Sequence, residues 1–121
     1  GIMYDIKDSK GFDTDEEDFD TVMASDISFT GNIRFTKPFM IKGKMNGIIE
    51  ATSDLLIDTD AVVNADISTD RVLVRGKVTG NINGRKLVYV TSTGTVKGDI
   101  TSAQVVLEPG SVFSGKCTMS E

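Results

Sequence analysis

One apolar pattern recurs along most of this chain and limits its fold more than any other feature. A large apolar residue is followed two positions later by a glycine or alanine, and two positions after that by isoleucine or cysteine. It reads Phe29-x-Gly31-x-Ile33, Met45-x-Gly47-x-Ile49, Val63-x-Ala65-x-Ile67, Val78-x-Gly80-x-Ile82, Val96-x-Gly98-x-Ile100 and Phe113-x-Gly115-x-Cys117. The small residue advances by 16, 18, 15, 18 and 17 positions. That period is too short for helical repeats and suits one turn of a coiled sheet. A solenoid of this kind grows along one axis. Its ends are open sheet edges, and open edges pair with other chains.

A second apolar pair precedes five of the six repeats: Phe39-x-Ile41, Leu55-x-Ile57, Val72-x-Val74, Val88-x-Val90 and Val105-x-Leu107. Four or six residues separate each pair from the apolar residue that follows it. The number is always even. Side chains alternate faces in a strand, so even spacing keeps both sets on one face, the core. The column Gly31, Gly47, Ala65, Gly80, Gly98, Gly115 then points inward too and predicts a cross-section too narrow for bulk. About 17 residues at ~3.3 Å give a perimeter of roughly 55 Å, and six turns at ~4.8 Å give a rod of roughly 29 Å. The expected fold is all-β: a single-stranded parallel β-helix of about six short three-sided turns. Where the spacing is six, the extra residues Thr59-Asp60, Ser92-Thr93 and Pro109-Gly110 are expected to form bulged surface corners.

The middle residue of each apolar pair is apolar as well: Met40, Leu56, Leu73, Tyr89 and Val106. Parity turns this column outward. A stacked apolar column is a patch, and patches mark contact surfaces. The column is therefore expected to serve as a lateral or partner surface, covered by the acidic tail, a neighbouring filament or a partner.

Charge divides the chain of 121 residues. Residues 1–26 carry nine acidic and two basic side chains, and residues 27–121 carry nine acidic and eleven basic, for a net charge of −5 overall. The break falls just before the first repeat. The run from Asp13 to Asp20 repels itself and offers few apolar anchors against the entropy of ordering. The expected organisation is an acidic, disordered tail over 1–26, dispensable for folding, and a β-helix over 27–121.

Composition removes most chemistry. The chain has no histidine and one cysteine, which excludes the usual zinc, haem and copper ligand sets and every His-based catalytic dyad or triad. No apolar run approaches the length of a membrane span. Gly110-Ser-Val-Phe-Ser-Gly115-Lys116-Cys117 approaches a phosphate loop, but Cys117 cannot supply the hydroxyl for magnesium and no helix has room to follow. Cys117 takes the place of the repeat isoleucine and is expected to be a small buried hydrophobe. Lys42, Lys44, Arg75, Lys77, Lys97 and Lys116 face outward, but without interleaved aromatics they read as a solvated face and not a nucleic-acid groove. Asp54, Asp58, Asp60, Asp66 and Asp70 cluster without the spacing of a calcium loop. No cofactor, metal or catalytic residue is expected.

The repeats, together with the stretches VRGKVTGNI (Val74 to Ile82) and VKGDITSAQVVLEPGSVFSGK (Val96 to Lys116), resemble the bactofilins, bacterial cytoskeletal proteins. The resemblance covers roughly residues 29–119. It implies a right-handed β-helix that polymerises end to end without nucleotide. It further implies cytoplasmic filaments, peripheral at the inner face of the membrane, that scaffold cell-shape or envelope machinery. The family's membrane-contacting stretch is short and apolar. Gly1-Ile-Met-Tyr4 is a weak counterpart, since the acidic run after it is repelled by anionic lipid.

These readings point to a non-enzymatic scaffold whose main partner is itself. The expected polymer interface is Phe29, Ile33 and Phe35 at one end and Val105, Leu107, Phe113, Cys117 and Met119 at the other, since each lacks a neighbouring turn. The alternatives are a monomeric β-helix binding module that uses the apolar stripe and a small polysaccharide-active β-helix enzyme. The second is disfavoured by the lack of long loops and of a convergent acid–base pair.

Overall fold

The computed structural model describes residues 15–120. Short β-branched runs form strands, and Gly, Asp, Asn, Ser and Thr between them break the chain into corners. Every strand pairs in parallel with the strand one turn away, and three ladders run along the molecule.

The first ladder stacks β1 (Thr21–Met23), β3 (Phe39–Ile41), β5 (Asp54–Ile57), the end of β6 (Val62–Val74), the end of β8 (Ile82–Val90) and β11 (Val105–Leu107). The second stacks the first halves of β2 (Ser28–Phe35) and β4 (Lys44–Ala51), the start of β6, then β7 (Lys77–Thr79), β9 (Thr95–Lys97) and β12 (Val112–Ser114). The third stacks the ends of β2 and β4, the middle of β6, the start of β8, β10 (Ile100–Ser102) and β13 (Cys117–Met119). The result is an all-β parallel solenoid of about 6 turns, as the repeat predicts.

The interior follows the parity argument. Ile41, Met45, Ile49, Leu55, Ile57, Val63, Val72, Val74, Val88, Val90, Val96 and Ile100 are fully buried along one continuous core. The long corners sit where the spacing places them. Thr59-Asp60, Ser92-Thr93 and Pro109-Gly110 are exposed turn residues, closed by Ala61 N–H to Asp58 O, Gly94 N–H to Thr91 O and Ser111 N–H to Glu108 O at 2.8–3.0 Å.

The small-residue column has a different cause from the one its parity suggests. Gly47, Gly80, Gly98 and Gly115 have φ between 135° and 153°, a region that side chains rarely adopt. A Cβ on any of them would lie within 1.9–2.1 Å of the carbonyl oxygen of the small residue one turn below. The column is thus a backbone corner at which successive turns approach closely. The core's width does not set it. Ala65 is tolerated because its φ is not positive.

The solenoid starts ahead of the charge break at residue 26. Strand β1 pairs Thr21, Val22 and Met23 with Phe39, Met40 and Ile41, and Met23 is buried. Before it, a 3₁₀ turn, Glu16–Asp18, leads to Phe19, also buried. Net charge located the break but not the strand, because Met23 stands six residues before Phe29 and so keeps the same even parity as the later pairs. Residues 15–26 therefore contribute a strand and two buried side chains to the solenoid. The expectation of disorder over 1–14, and the apolar stretch Gly1 to Tyr4, lie outside the described residues.

The middle column departs furthest from expectation. Met40, Leu56, Leu73 and Tyr89 are 0–2% exposed. They belong to a second apolar cluster with Phe19 and Leu87, which Val22 and Val106 flank. Parity holds, since the cluster is separate from the interior core. The column faces out from the first ladder but is covered, so it is not the open lateral surface that the sequence suggested.

Candidate assembly surfaces

Among the described residues the first and last turns have a neighbour on one side only. At the first, Phe29, Ile33 and Phe35 project inward from β2 and pack on the core while remaining half-buried. Phe35 stacks on Phe39 with ring centroids 4.7 Å apart. At the last, Val105 and Phe113 are half-buried on the core, whereas Leu107 and Met119 are 42% and 56% exposed. Cys117 lies in the isoleucine column but is exposed. Its expected burial fails because, among the described residues, no turn lies above it to close the column.

The apolar surface that stays open concentrates at these ends. Among the described residues the large exposed hydrophobics are Ile27, Ile48, Leu107, Val112 and Met119. Ile27 belongs to the first turn and Leu107, Val112 and Met119 to the last; Ile48 alone sits mid-rod. The backbone edges coincide with them. Among the described residues β1 and β2 pair on one side only, as do β11, β12 and β13. The eight residues assigned to the polymer interface lie in the first and last of the described turns, on or beside these edge strands.

The flanks carry polar ladders instead. Arg71 grips Asp54 on the turn below through two bonds, Nε at 2.9 Å and Nη2 at 2.5 Å. Arg75 pairs with Asp58 at 3.5 Å, and Arg85 with Asp70 at 2.9 Å. Lys42 donates to Glu16 at 2.5 Å, and that bond with its charge attraction raises the lysine pKa above its usual value. Lys44, Lys77, Lys97 and Lys116 are exposed on the second ladder and the corner after it. The acidic cluster is spread out, since Asp54, Asp58 and Asp70 are taken up by these cations. Among the described residues no group of His, Cys, Asp or Glu could hold a metal ion.

A further ladder went unread in the sequence. At three of the six corners the residue after the small one caps the amide one turn up. Asp66 Oδ1 accepts from Asn81 N–H at 3.1 Å, Asn81 Oδ1 from Asp99 N–H at 3.1 Å, and Asp99 Oδ1 from Lys116 N–H at 3.0 Å. These corner amides cannot reach a strand partner, so a short acceptor side chain satisfies them. The signal was present as Ala65-Asp66, Gly80-Asn81 and Gly98-Asp99. No helix among the described residues is long and apolar enough to cross a membrane.

Comparison with known proteins agrees with this architecture. The family model described as bactofilin, polymer-forming cytoskeletal, matches residues 21–118, starting with the first residue of β1. Bactofilin BacO of Myxococcus xanthus (strain DK1622) is 33% identical over 99 residues, 82% of this chain and 79% of its own length. Bactofilin BacP of the same organism is 28% identical over 101 residues, 84% of this chain. The match spans only 42% of BacP's length. Among solved structures, the Thermus thermophilus bactofilin, reconstructed by cryo-EM as double helical filaments, superposes with a TM-score of 0.78 at 22% identity. That likeness covers 83% of this chain and 99% of the other.

Proposed function

Because the chain belongs to the bactofilin family of polymer-forming cytoskeletal proteins, we propose that it assembles end to end through its first and last turns, without a nucleotide. The observation that carries this reading is the coincidence, at both ends, of unpaired strand edges with half-buried or exposed inward-facing apolar residues. Solenoids that stay monomeric close their last turns with polar caps. Among the described residues Phe113 and Val105 occupy that place at the last turn. Burying an apolar side chain of this size contributes about 1.5–3 kcal/mol when complete, and five or more such groups per junction suffice for a stable contact. The strand edges add backbone hydrogen bonds and fix the register.

The filament acts as a scaffold and performs no chemistry. Its place is the cytoplasm, peripheral at the inner face of the membrane, where a polymer can support cell shape or envelope machinery. This localisation follows the family resemblance. The monomeric binding-module alternative loses its main support, since the apolar stripe it needed is buried.

Negative-stain microscopy and sedimentation of the full chain test the proposal. Filaments are expected in nucleotide-free buffer, unchanged in number and length when ATP or GTP is added. A chain that sediments as a monomer at all concentrations, or that assembles only with nucleotide, would overturn it.

A further inference from the structure

Two adjoining faces of the solenoid carry opposite charge. On the second ladder Lys44 and Lys77 share one outward column, two rungs apart. Lys97 stands two residues further along the strand and one rung past Lys77. The strands of this ladder contain no acidic residue. All three lysines are exposed, and among the described residues none forms an ion pair.

The acids lie around the small-residue corner. Asp66 and Asp99 occupy one column, again two rungs apart, with Asn81 between them. Glu50 stands two residues further along the strand and one rung before Asp66. Asp66 and Asp99 each spend one oxygen on an amide N–H and meet no cation. Glu50 reaches only Arg34, at 3.5 Å, with both side chains more than half exposed. The three carboxylates line an open trough of about 540 Å³ that runs up the third ladder beside Ser68, Asn83 and Thr101.

We infer that these faces fit each other on neighbouring copies: the second ladder of one chain docks, antiparallel, on the third ladder of the next. The register of the charges carries this. Rungs about 4.8 Å apart make both two-rung spans about 10 Å. Turning a second copy by half a revolution about the strand direction reverses the order of its rungs and keeps the order of its columns. Lys44 then faces Asp99, Lys77 faces Asp66 and Lys97 faces Glu50, all in one placement. Arg34 and Lys116, the cations on the acidic columns, fall opposite Ser114 and Ser28, so no like charges meet. A parallel neighbour reverses the columns instead and forms at most two of the three pairs.

The contact joins two different faces, so each added copy still offers a free lysine face. Such a heterologous contact does not close on a pair but continues into layers. Exposed ion pairs are weak singly and gain strength by repetition along a rod. The inference thus rests on the end-to-end reading for its strength, and not for its geometry.

Charge variants of the full chain test the contact by low-speed pelleting of bundles and by microscopy. Bundles are expected at low salt and should separate into single filaments at about 1 M salt, where the Debye length falls to ~3 Å. Lys97→Glu and Glu50→Lys, made separately, should each lower the pelleted fraction at least about tenfold by setting like charges opposite each other. The two together should restore it, since the pair is then reversed and intact. Asp66→Asn with Asp99→Asn should also disperse the bundles, and the fold is kept because Asn81 already caps the same kind of amide. In a C117S chain, N46C with T101C should form disulfides between copies whether or not filaments form. The two sites lie three rungs apart, about 14 Å along the axis, too far for a bond within one chain. Filaments that bundle equally at high salt, a Lys97→Glu, Glu50→Lys double variant that stays dispersed, or the absence of the Asn46–Thr101 cross-link would overturn the inference. Failure of filaments to form, with the cross-link present, would count against the end-to-end reading alone.

Discussion

Val72 and Leu73 are consecutive residues of β6, and each is buried in a different apolar cluster. Val72 points into the solenoid and is 0% exposed; Leu73 points out and is 1% exposed, against Met40, Leu56 and Tyr89. The first ladder is thus dry on both faces, a situation usual for parallel sheets sandwiched between layers but unforeseen in a solenoid this small.

Leu73→Lys is therefore expected to unfold the chain or destabilise it severely, because it buries an unpaired ammonium. Leu73→Ala should cost about 2–5 kcal/mol, as for other buried leucines. Ile48, which is 43% exposed, provides the control: Ile48→Lys should change stability by no more than about 0.5 kcal/mol. Urea titration of the variants measures all three. Tolerance of Leu73→Lys equal to that of Ile48→Lys would mean that the outer face is open in solution.

The corner column offers a second test. Gly98 has φ 142°, and a Cβ there would lie 2.1 Å from Gly80 O. Gly98→Ala combines an unfavourable backbone region with a clash against a fixed carbonyl and should cost more than about 2 kcal/mol. Ala65→Gly needs no such conformation and should cost only about 0.5–1 kcal/mol through backbone entropy. Thermal melts of the two variants give the comparison. Equal effects would show that the glycines are turn residues with no close contact between turns.

Phe113 is the largest inward side chain of the last described turn and, among the described residues, lacks a turn above it. Phe113→Arg should leave β-type circular dichroism intact and abolish filaments, since it places a charge in the proposed junction. Long filaments of the variant under the electron microscope would exclude this end as the interface.

Lys42 supplies a pH test. Its bond to Glu16 raises its folded pKa above 10.5. For a group whose pKa is raised on folding, the stabilisation is complete below the unfolded value and is lost as pH rises through the folded one. The melting-temperature gap between the native chain and Lys42→Gln should hold constant up to about pH 10 and close above the unfolded lysine value of about 10.4. Because the pair is exposed, the gap should also shrink in high salt. A gap that widens with rising pH would contradict the assignment.

Much of this protein was legible in its sequence. Even spacing between apolar positions gave the core face, the number of turns and the surface corners, because side-chain direction along a strand is a local property of the backbone. The places of Phe29 and Phe113 were legible for the same reason, since they open the first and the last copies of the repeat. Three things required the tertiary structure. Gly47, Gly80, Gly98 and Gly115 owe their identity to a carbonyl one turn below, and no local pattern separates that contact from inward packing. The first strand, Thr21–Met23, was hidden by the acids around it, since its pairing with Phe39–Ile41 outweighs a local charge. Above all, parity fixed that Met40, Leu56, Leu73 and Tyr89 point outward, but it could not say whether outward means wet. That depends on where a distant part of the chain lies, and only the folded molecule brings Phe19 onto a column that ends at Tyr89.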